Sequence, residues 1–237
     1  MFGNELEESF VADSLLNRTL LRVRYYRAGL PWYGLSVRLM IECLATLGLR
    51  IDPFHLFIEA AAGKRPPPVE SGLDNFVIDF LDASDMAALA CIPGRNFSED
   101  ELLFRLQQGK RCLGIRYHDE IVAFTWFDLN ECTFESHTLF ILRENEAHLF
   151  DTYTTESFRG KSLAPHLRYR CYEELAKLGR ERCYSVTVAF NTPAVRYKQK
   201  LGAQVAELMV FVELLKRWRF HARLKRYPPS RAVGSRT

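Results

Sequence analysis

The sequence is short of several features that mark particular classes of protein. It has no apolar run of the roughly 18 to 20 residues that a membrane-spanning helix needs, and no basic segment followed by an apolar core at its N-terminus. Its six cysteines are scattered, without a close pair or the Cys and His spacing of a metal site. We therefore expect reduced, mostly buried thiols, no bound metal and a cytoplasmic protein.

Acidic residues are absent from the last part of the chain. From Lys216 onward there are eight Lys or Arg and no Asp or Glu, although the whole chain has a net charge of only +3. Aromatic and basic residues are interleaved between Lys216 and Tyr227, a pattern that suits an anionic lipid surface or RNA. We favour the alternative, a solvated helix end followed by a disordered terminus from Pro228, and we do not expect nucleic acid as a partner.

Length and composition indicate one medium domain with an extension. The chain has 237 residues, of which 48% are hydrophobic and 26% charged. Residues 9–59 show helical spacing of apolar side chains, and a proline-rich segment follows. The predicted parts are a helical extension at 1–63, a stiff linker at 64–72, an α/β domain at 73–215 and a basic tail at 216–237.

The rest of the chain alternates between strand and helix patterns. Asp82 and Ser98 are predicted N-caps, the latter with Glu101 three residues on as a capping box. Predicted strands are 76–81, 111–117, 121–129, 134–142, 147–153, 183–190 and 204–214, and predicted helices are 82–90, 98–109, 162–178 and 192–201. This order predicts an α/β fold with a mixed central sheet, helices on both of its faces, and the helical extension in front.

The segment 154–164 leaves an apolar strand and enters an amphipathic helix. The first N–H groups of a helix have no partner within the helix, and the helix dipole adds positive potential there. This segment is therefore a candidate site for a pyrophosphate or another anion. A second helix opens at Asn191 and ends near Gly202.

Over residues 75–214 these two segments resemble the GNAT acyltransferase superfamily. The residues that carry the resemblance are Arg159, Ser162 and Ala164 in the turn, and Asn191, Ala194, Tyr197, Lys200 and Gly202 in the second helix. Two positions depart from the family pattern. Ser162 stands where the family has its middle glycine, and Tyr197 lies one residue before the usual tyrosine, whose place Lys198 takes.

The resemblance implies direct transfer of an acetyl or longer acyl group from acyl-CoA to an amine. It implies donor binding by the main chain of Thr152, Tyr153 and Thr154 at the pantetheine, and by Arg159, Gly160, Lys161, Ser162, Leu163 and Ala164 at the pyrophosphate, with Asn191 capping the second helix beside the donor. For proton transfer it suggests Glu146 as the base, His148 as a relay, with His137 as another candidate, and Tyr197 as the acid.

Other functions are compatible with the same residues. Ser162 and the displaced Tyr197 suggest a GNAT-like module that binds or regulates without catalysis, and the basic tail suggests an aminoacyl-tRNA donor instead of acyl-CoA. A homodimer, or contact with the inner face of the membrane through the N-terminal helices or the tail, is also compatible with the sequence. Covalent catalysis by Cys171 or Cys183 is not expected, since the resemblance implies direct transfer of the acyl group.

The expected acceptor-binding regions are 82–109 and 130–143. They carry no pattern that distinguishes a small molecule from a protein amine. An aromatic cluster suggests an apolar acceptor or a longer acyl chain, or simply core packing; its members are Phe124, Trp126, Phe127 and Phe134.

Overall fold

The computed structural model describes residues 32–60, 76–93, 95, 97–135 and 137–228. The helices predicted between 9 and 31, the linker at 64–72 and the end of the tail at 229–237 lie outside these ranges. The chain divides into two units. One comprises Met1–Leu56, Thr187–Lys200 and Val205–Thr237, and the other Phe57–Val186 and Leu201–Gln204.

Helices and strands alternate along the described residues. The helices are α1 (Trp32–Thr46), α2 (Met86–Ala90), α3 (Glu99–Gln107), α4 (Leu163–Lys177) and α5 (Thr192–Lys200). The strands are β1 (Leu49–Ala60), β2 (Phe76–Leu81), β3 (Arg111–Tyr117), β4 (Glu120–Asp128), β5 (Glu131–Phe134), β6 (His137–Ile141), β7 (Glu146–Thr154), β8 (Arg182–Val188), β9 (Gln204–Leu214) and β10 (Trp218–Arg226). Within the described ranges, none of the helices has both the length and the hydropathy that a membrane-spanning segment requires.

The unit that contains Phe57–Val186 is built on a mixed sheet with the strand order β8–β7–β4–β3–β2. β7 and β8 run parallel, and the other neighbours run antiparallel. Helix α4 buries Leu167 and Leu175 against one face of the sheet. Helices α2 and α3 bury Met86 and Leu102 on the other face, against Trp126. The predicted fold class, a mixed sheet with helices on both faces, is confirmed.

Side-chain caps start the helices on one face. Asp82 accepts a hydrogen bond from the N–H of Ser84 at 2.8 Å, and Asp85 accepts one from the N–H of Asp82 at 3.0 Å, which completes a capping box. Ser98 accepts from the N–H of Glu101 at 3.1 Å at the start of α3. Each cap satisfies N–H groups that have no helical partner. Asp82 caps the short 3-10 turn Ala83–Asp85 that leads into α2, and Ser98 caps α3, both where the sequence predicts a helix start.

Two predicted elements are wrong, and one strand was not predicted. Residues 49–60 form strand β1 and not a helix; the alternation of Leu49, Arg50, Ile51 and Asp52 is a strand pattern. The strand predicted at 134–142 corresponds to β6, which begins later because the chain reverses after Phe134, where Glu135 has a φ of +51°. The other strand of this hairpin, β5, was not predicted. The basic tail continues as strand β10 instead of a helix end.

In the other unit the strand order is β10–β9–β1, and β10 pairs antiparallel with β9. Cations of β10 form ion pairs with carboxylates of β9: Arg219 with Glu213 at 2.7 Å, and Arg223 and Arg226 with Glu207 at 3.1 Å. These pairs neutralise part of the positive charge that had suggested an RNA or lipid contact.

Candidate functional site

Strand β7 contains a β-bulge near its middle. Phe124 of β4 pairs with Tyr153, and Trp126 pairs with Phe150, so β7 has one residue more than β4 over this stretch. Asp151 lies at the extra position and has a φ of +47°, in the left-handed region. An extra residue of this kind bends the strand and re-aims the side chains that follow it.

The bulge changes which side of the sheet the β7 side chains face. Phe150 and Asp151 are neighbours in sequence, yet both line the same cavity. Thr152 points to the opposite face, where its hydroxyl accepts a hydrogen bond from Arg168 of α4 at 2.9 Å. Tyr153 returns to the first face and packs against Phe124, with ring centroids 5.8 Å apart.

Two arginines hold the carboxylate of Asp151. Arg105 donates to it at 2.8 Å and to Glu101 at 3.1 Å, and Arg95 donates to its other oxygen. Both guanidinium groups stack on the ring of Phe97, at 4.7 Å for Arg95 and 4.3 Å for Arg105. Burial is the main cause that lowers the pKa of each guanidinium. The bulge is thus fixed by its backbone and by charge-assisted hydrogen bonds.

β8 separates from β7 beside the bulge. Their parallel register runs from Glu146 opposite Arg182 to Leu149 opposite Ser185 and ends there, while β7 continues to Thr154. Over the described residues, the backbone at 150–154 is therefore paired with β4 on one side and not with β8 on the other. An extended group of a ligand can hydrogen-bond to such an unpaired strand edge.

A tight turn links β7 to helix α4. Gly160 has a φ of +83° and Ser162 a φ of +63°. Ser162 is the N-cap residue of α4, and its side chain makes no capping hydrogen bond. The helix therefore starts with N–H groups that no side chain of the cap satisfies, the arrangement in which helix N-termini bind phosphate.

The two cations of the turn are placed differently. Arg159 donates to the carbonyl oxygen of Thr154 at 3.2 Å and to Glu156 at 3.1 Å, which folds its side chain over the turn. The ammonium of Lys161 lies 4.8 Å from the centre of the Phe158 ring. The side chain of Arg159 is half exposed and is accessible to an anion in solvent.

A cavity of about 620 Å³ lies on the bulge side of the sheet. It is lined by α3, the β5–β6 hairpin and β7, so that it includes parts of both regions expected to bind the acceptor. Its charged lining residues are Glu101, Arg105, Lys110, Glu131, Glu135, His148 and Asp151, and its aromatic ones are Phe97, Phe104, Phe134 and Phe150. Of the predicted aromatic cluster only Phe134 lines this cavity; Phe124, Trp126 and Phe127 are core residues.

Glu146 is buried at the start of β7. Its carboxylate accepts hydrogen bonds from the hydroxyl of Tyr184 at 3.1 Å and from the N–H of Arg143 at 3.1 Å, and Arg182 lies 4.0 Å away. Burial, followed by the effect of Glu146, raises the pKa of Tyr184 above its usual value. The carboxylate is thus held by two hydrogen-bond donors, and it is not among the residues that line the cavity.

His148 lies two residues further along β7 and lines the cavity. Its Nδ1 accepts a long hydrogen bond of 3.4 Å from the N–H of Thr133, and its ring stacks on Phe150 with centroids 5.4 Å apart. A neutral histidine that accepts through Nδ1 carries its proton on Nε2. In this state the ring is a hydrogen-bond donor.

The remaining predicted residues lie on α5, in the other unit. Asn191 is the N-cap of α5, because its side-chain oxygen accepts from the N–H of Ala194 at 3.2 Å. Tyr197 is half-buried, and Lys198 is buried at 6% exposure. The predicted residues of the turn and of β7 all belong to the unit that contains Phe57–Val186.

Thiol chemistry is disfavoured by the structure. Cys171 and Cys183 are buried. Burial raises the pKa of Cys183 to about 12 and that of Cys171 further. Since the thiolate is the nucleophile, both side chains are unreactive at neutral pH.

Sequence reasoning missed Asp151 and its two arginines. The segment Phe150-Asp151-Thr152 carried a signal for them. Acidic residues are rare inside apolar strands unless a bulge or a cation accommodates them. Arg95 and Arg105 lie 56 and 46 residues away in sequence, so their pairing with Asp151 depends on the folded sheet.

Comparisons with known proteins identify a family and similar folds. A family model described as the acetyltransferase (GNAT) family matches residues 81–203. Similar solved structures include a tandem GNAT protein of clavulanic acid biosynthesis (TM-score 0.51, 14% identity), a Drosophila protein (0.51, 18%) and a GNAT-family protein of Novosphingobium aromaticivorans (0.49, 17%).

The matches cover 78%, 76% and 75% of this chain and 58%, 57% and 69% of those chains, in the same order. This chain therefore spans less than two thirds of the first two. At these identities the likeness concerns the fold alone. No curated protein matches the chain.

Proposed function

We propose an activity for this chain on the basis of the family to which it belongs, the acetyltransferase (GNAT) family. It transfers an acetyl or longer acyl group from acyl-CoA to an amine. The amine nitrogen attacks the thioester carbonyl within a ternary complex. A C–N bond forms, the C–S bond breaks, the amine loses a proton and the thiolate takes one up. Holding both substrates side by side supplies much of the rate by proximity.

The separation of β8 from β7 beside the Asp151 bulge carries this proposal. The backbone edge at 152–154 that faces away from β4, where the described pairing with β8 has ended, is the proposed binding edge for the pantetheine arm. It leads directly into the turn, where the backbone at 159–164 and the side chains of Arg159 and Lys161 are proposed to bind the pyrophosphate. The cavity on the bulge side is the proposed place of the acceptor.

Removal of the amine proton is assigned to residues of β7. His148 has the better position, at the cavity, and Glu146 the better chemistry for a base. We assign to His148 the role of orienting the acceptor by donation from Nε2. The amine proton passes through water to Glu146, two residues away on the same strand face. Tyr197 is the proposed acid for the thiolate.

The donor site is tested by calorimetry with acetyl-CoA and longer acyl-CoA. The native protein is expected to bind in the micromolar range, and a folded Arg159→Glu, Lys161→Glu variant at least about tenfold more weakly, as one lost charge-assisted contact predicts. Lys216→Glu, Arg217→Glu is the matched control, since it changes the charge equally in the turn between β9 and β10. A native protein that binds no acyl-CoA contradicts the proposal.

The proposed roles of Glu146 and His148 are distinguished by the kinetics of their variants. Glu146→Gln is expected to lower kcat by about a hundredfold and to remove the rise of kcat/KM with pH on its acidic side, because the base is lost. His148→Gln is expected to raise the KM of the acceptor and to keep that pH dependence. Steady-state rates between pH 5 and 9 measure both; identical profiles for the two variants contradict the division of roles.

A second candidate function is acyl-CoA binding without catalysis. It is favoured by Lys198, which takes the place of the family's tyrosine and is buried. Tyr197 is rotated from that place by about 100° around the helix. Acyl-CoA binding with no turnover over a broad panel of amines supports this function over the enzyme.

Other assignments stay predictions. They are the domain boundaries, the cytoplasmic location, contact with the inner face of the membrane, and a homodimer. An aminoacyl-tRNA donor loses support from β10, because the ion pairs of Arg219, Arg223 and Arg226 occupy cations that it would use.

A further inference from the structure

A buried carboxylate from β1 lies beneath the sheet of the unit that contains the bulge. Glu59 is 1% exposed. It accepts hydrogen bonds from the hydroxyls of Tyr172 and Ser185, and Arg168 Nε lies 3.5 Å from it. A buried carboxylate is tolerated when several donors compensate for its lost hydration, and Glu59 has donors on both of its oxygens.

Arg168 extends this cluster to the bulge. It is 2% exposed and lies one and a half turns into α4. Its Nη2 donates to the hydroxyl of Thr152 at 2.9 Å, and that hydroxyl lies 2.8 Å from the hydroxyl of Thr125 on β4. One guanidinium thus connects the end of β1, the helix that begins at the turn, and the bulged segment of β7.

Stability alone does not explain why these charged groups are buried. An apolar side chain in place of a buried ion pair is often as stable or more stable. The pair instead fixes the direction of Thr152, which is the residue that the bulge turns to the far face. Hydrogen bonds to its hydroxyl restrain Thr152, and they thereby favour one orientation of the neighbouring peptide groups at the edge that β8 leaves unpaired.

We propose that Glu59 and Arg168 are positioning residues of the donor site. They hold Thr152 so that the backbone of the bulge presents its polar groups to the pantetheine arm, and neither side chain touches the donor. This rests on the proposed function for its ligand. Glu59 lies outside residues 81–203, so a strand beyond the family region completes the site.

The test compares Arg168→Gln, Glu59→Gln and Arg168→Lys with Tyr172→Phe as the matched control. Tyr172→Phe removes one donor to Glu59 and leaves the Arg168 to Thr152 bond in place. Coenzyme A is the probe, because it carries the pantetheine arm whatever the acyl group. Binding is measured by calorimetry, and backbone hydrogen exchange at 150–154 is measured in the free protein.

Arg168→Gln and Glu59→Gln are expected to weaken coenzyme A binding about tenfold and to speed exchange at 150–154. Arg168→Lys is expected to restore part of both. Tyr172→Phe is expected to lower the unfolding midpoint and to change neither. Affinity that falls in step with the unfolding midpoint in all four variants, Tyr172→Phe included, overturns the proposal, as does unchanged exchange at the bulge.

The experiment also gives an answer if coenzyme A does not bind, or if Arg168→Gln does not fold. If the native protein does not bind coenzyme A, the proposed function fails, and the exchange data alone decide whether Glu59 and Arg168 hold the bulge. If Arg168→Gln does not fold, Thr152→Val takes its place, because it removes the hydroxyl and keeps the buried ion pair. Normal binding and exchange in Thr152→Val overturn the proposal.

Discussion

Ser162 adopts a backbone conformation that glycine normally supplies. Its φ of +63° lies in the left-handed region, which costs a residue with a Cβ roughly 1–2 kcal/mol. The turn keeps its shape in spite of the substitution, since Ser162 is still the N-cap residue of α4. The hydroxyl that replaces the glycine hydrogen lies at the proposed phosphate site, where it can donate to a phosphate oxygen.

Replacing Ser162 with glycine separates strain from binding. Ser162→Gly is expected to raise the free energy of unfolding by up to about 1 kcal/mol, since relief of the left-handed strain exceeds the entropy cost of glycine. It is also expected to weaken acyl-CoA binding, because the hydroxyl is lost. Urea unfolding and calorimetry measure the two effects.

Gly160→Ala is the control for the backbone term. The position has a φ of +83°, and an added Cβ would meet no atom within 4 Å. Its expected loss of stability of about 1 kcal/mol is therefore a pure backbone effect. A stable Gly160→Ala together with a destabilised Ser162→Gly would contradict this account of the turn.

At the scale of elements, the bulge in β7 organises the site. It directs Asp151 to the arginines and Thr152 to α4, and β8 separates from β7 beside it. In a regular strand these two side chains would point the other way, with Asp151 toward α4 and Thr152 toward the cavity.

Asp151→Asn removes the charge and keeps the backbone, because asparagine tolerates positive φ as aspartate does. The variant is expected to lose about 1.5–3 kcal/mol of unfolding free energy, since hydrogen bonds to two guanidinium groups lose their charged acceptor. Urea unfolding measures the loss. Glu156→Gln is the control, as its pair with Arg159 is exposed and is expected to contribute little.

Elements whose signals lie within one short segment were predicted well, whereas contacts between residues far apart in sequence were not. β2 and β3 have the predicted bounds, and the caps Asp82, at the turn before α2, and Ser98, at α3, were identified, because each depends on residues within one short segment. The turn and its helix were identified for the same reason. The contacts of Asp151 depend on residues far away in sequence. Strand β10 forms because it pairs with its neighbour β9 in a hairpin, and propensity alone does not determine this.

At the scale of the molecule, the residues that match the family do not include every partner of the buried charges. Arg168 lies within residues 81–203, and Glu59, which compensates its charge, lies outside them. A chain that begins at residue 73, the predicted start of the α/β domain, would retain Arg168 and lack this partner.

Such a shortened chain is expected to fail to fold. Loss of one partner of a buried pair costs about 3–5 kcal/mol, a large part of the roughly 5–15 kcal/mol that stabilises a typical domain, and the packing of β1 is lost as well. Circular dichroism with urea unfolding checks this against the full chain. Cooperative unfolding of the shortened chain at the midpoint of the full chain would contradict it.

Strand β10 lies at the edge of the described sheet and shows side chains such as Trp218 and Phe220 to solvent. An exposed edge with aromatic side chains is a template on which a second copy could add its own strand. Four cations stand along nine residues of β10: Arg219, Arg223, Lys225 and Arg226. Charged side chains disfavour the addition of a strand at a sheet edge, so the cations that first resembled a ligand signal are expected to oppose polymerisation of the protein through its own sheet.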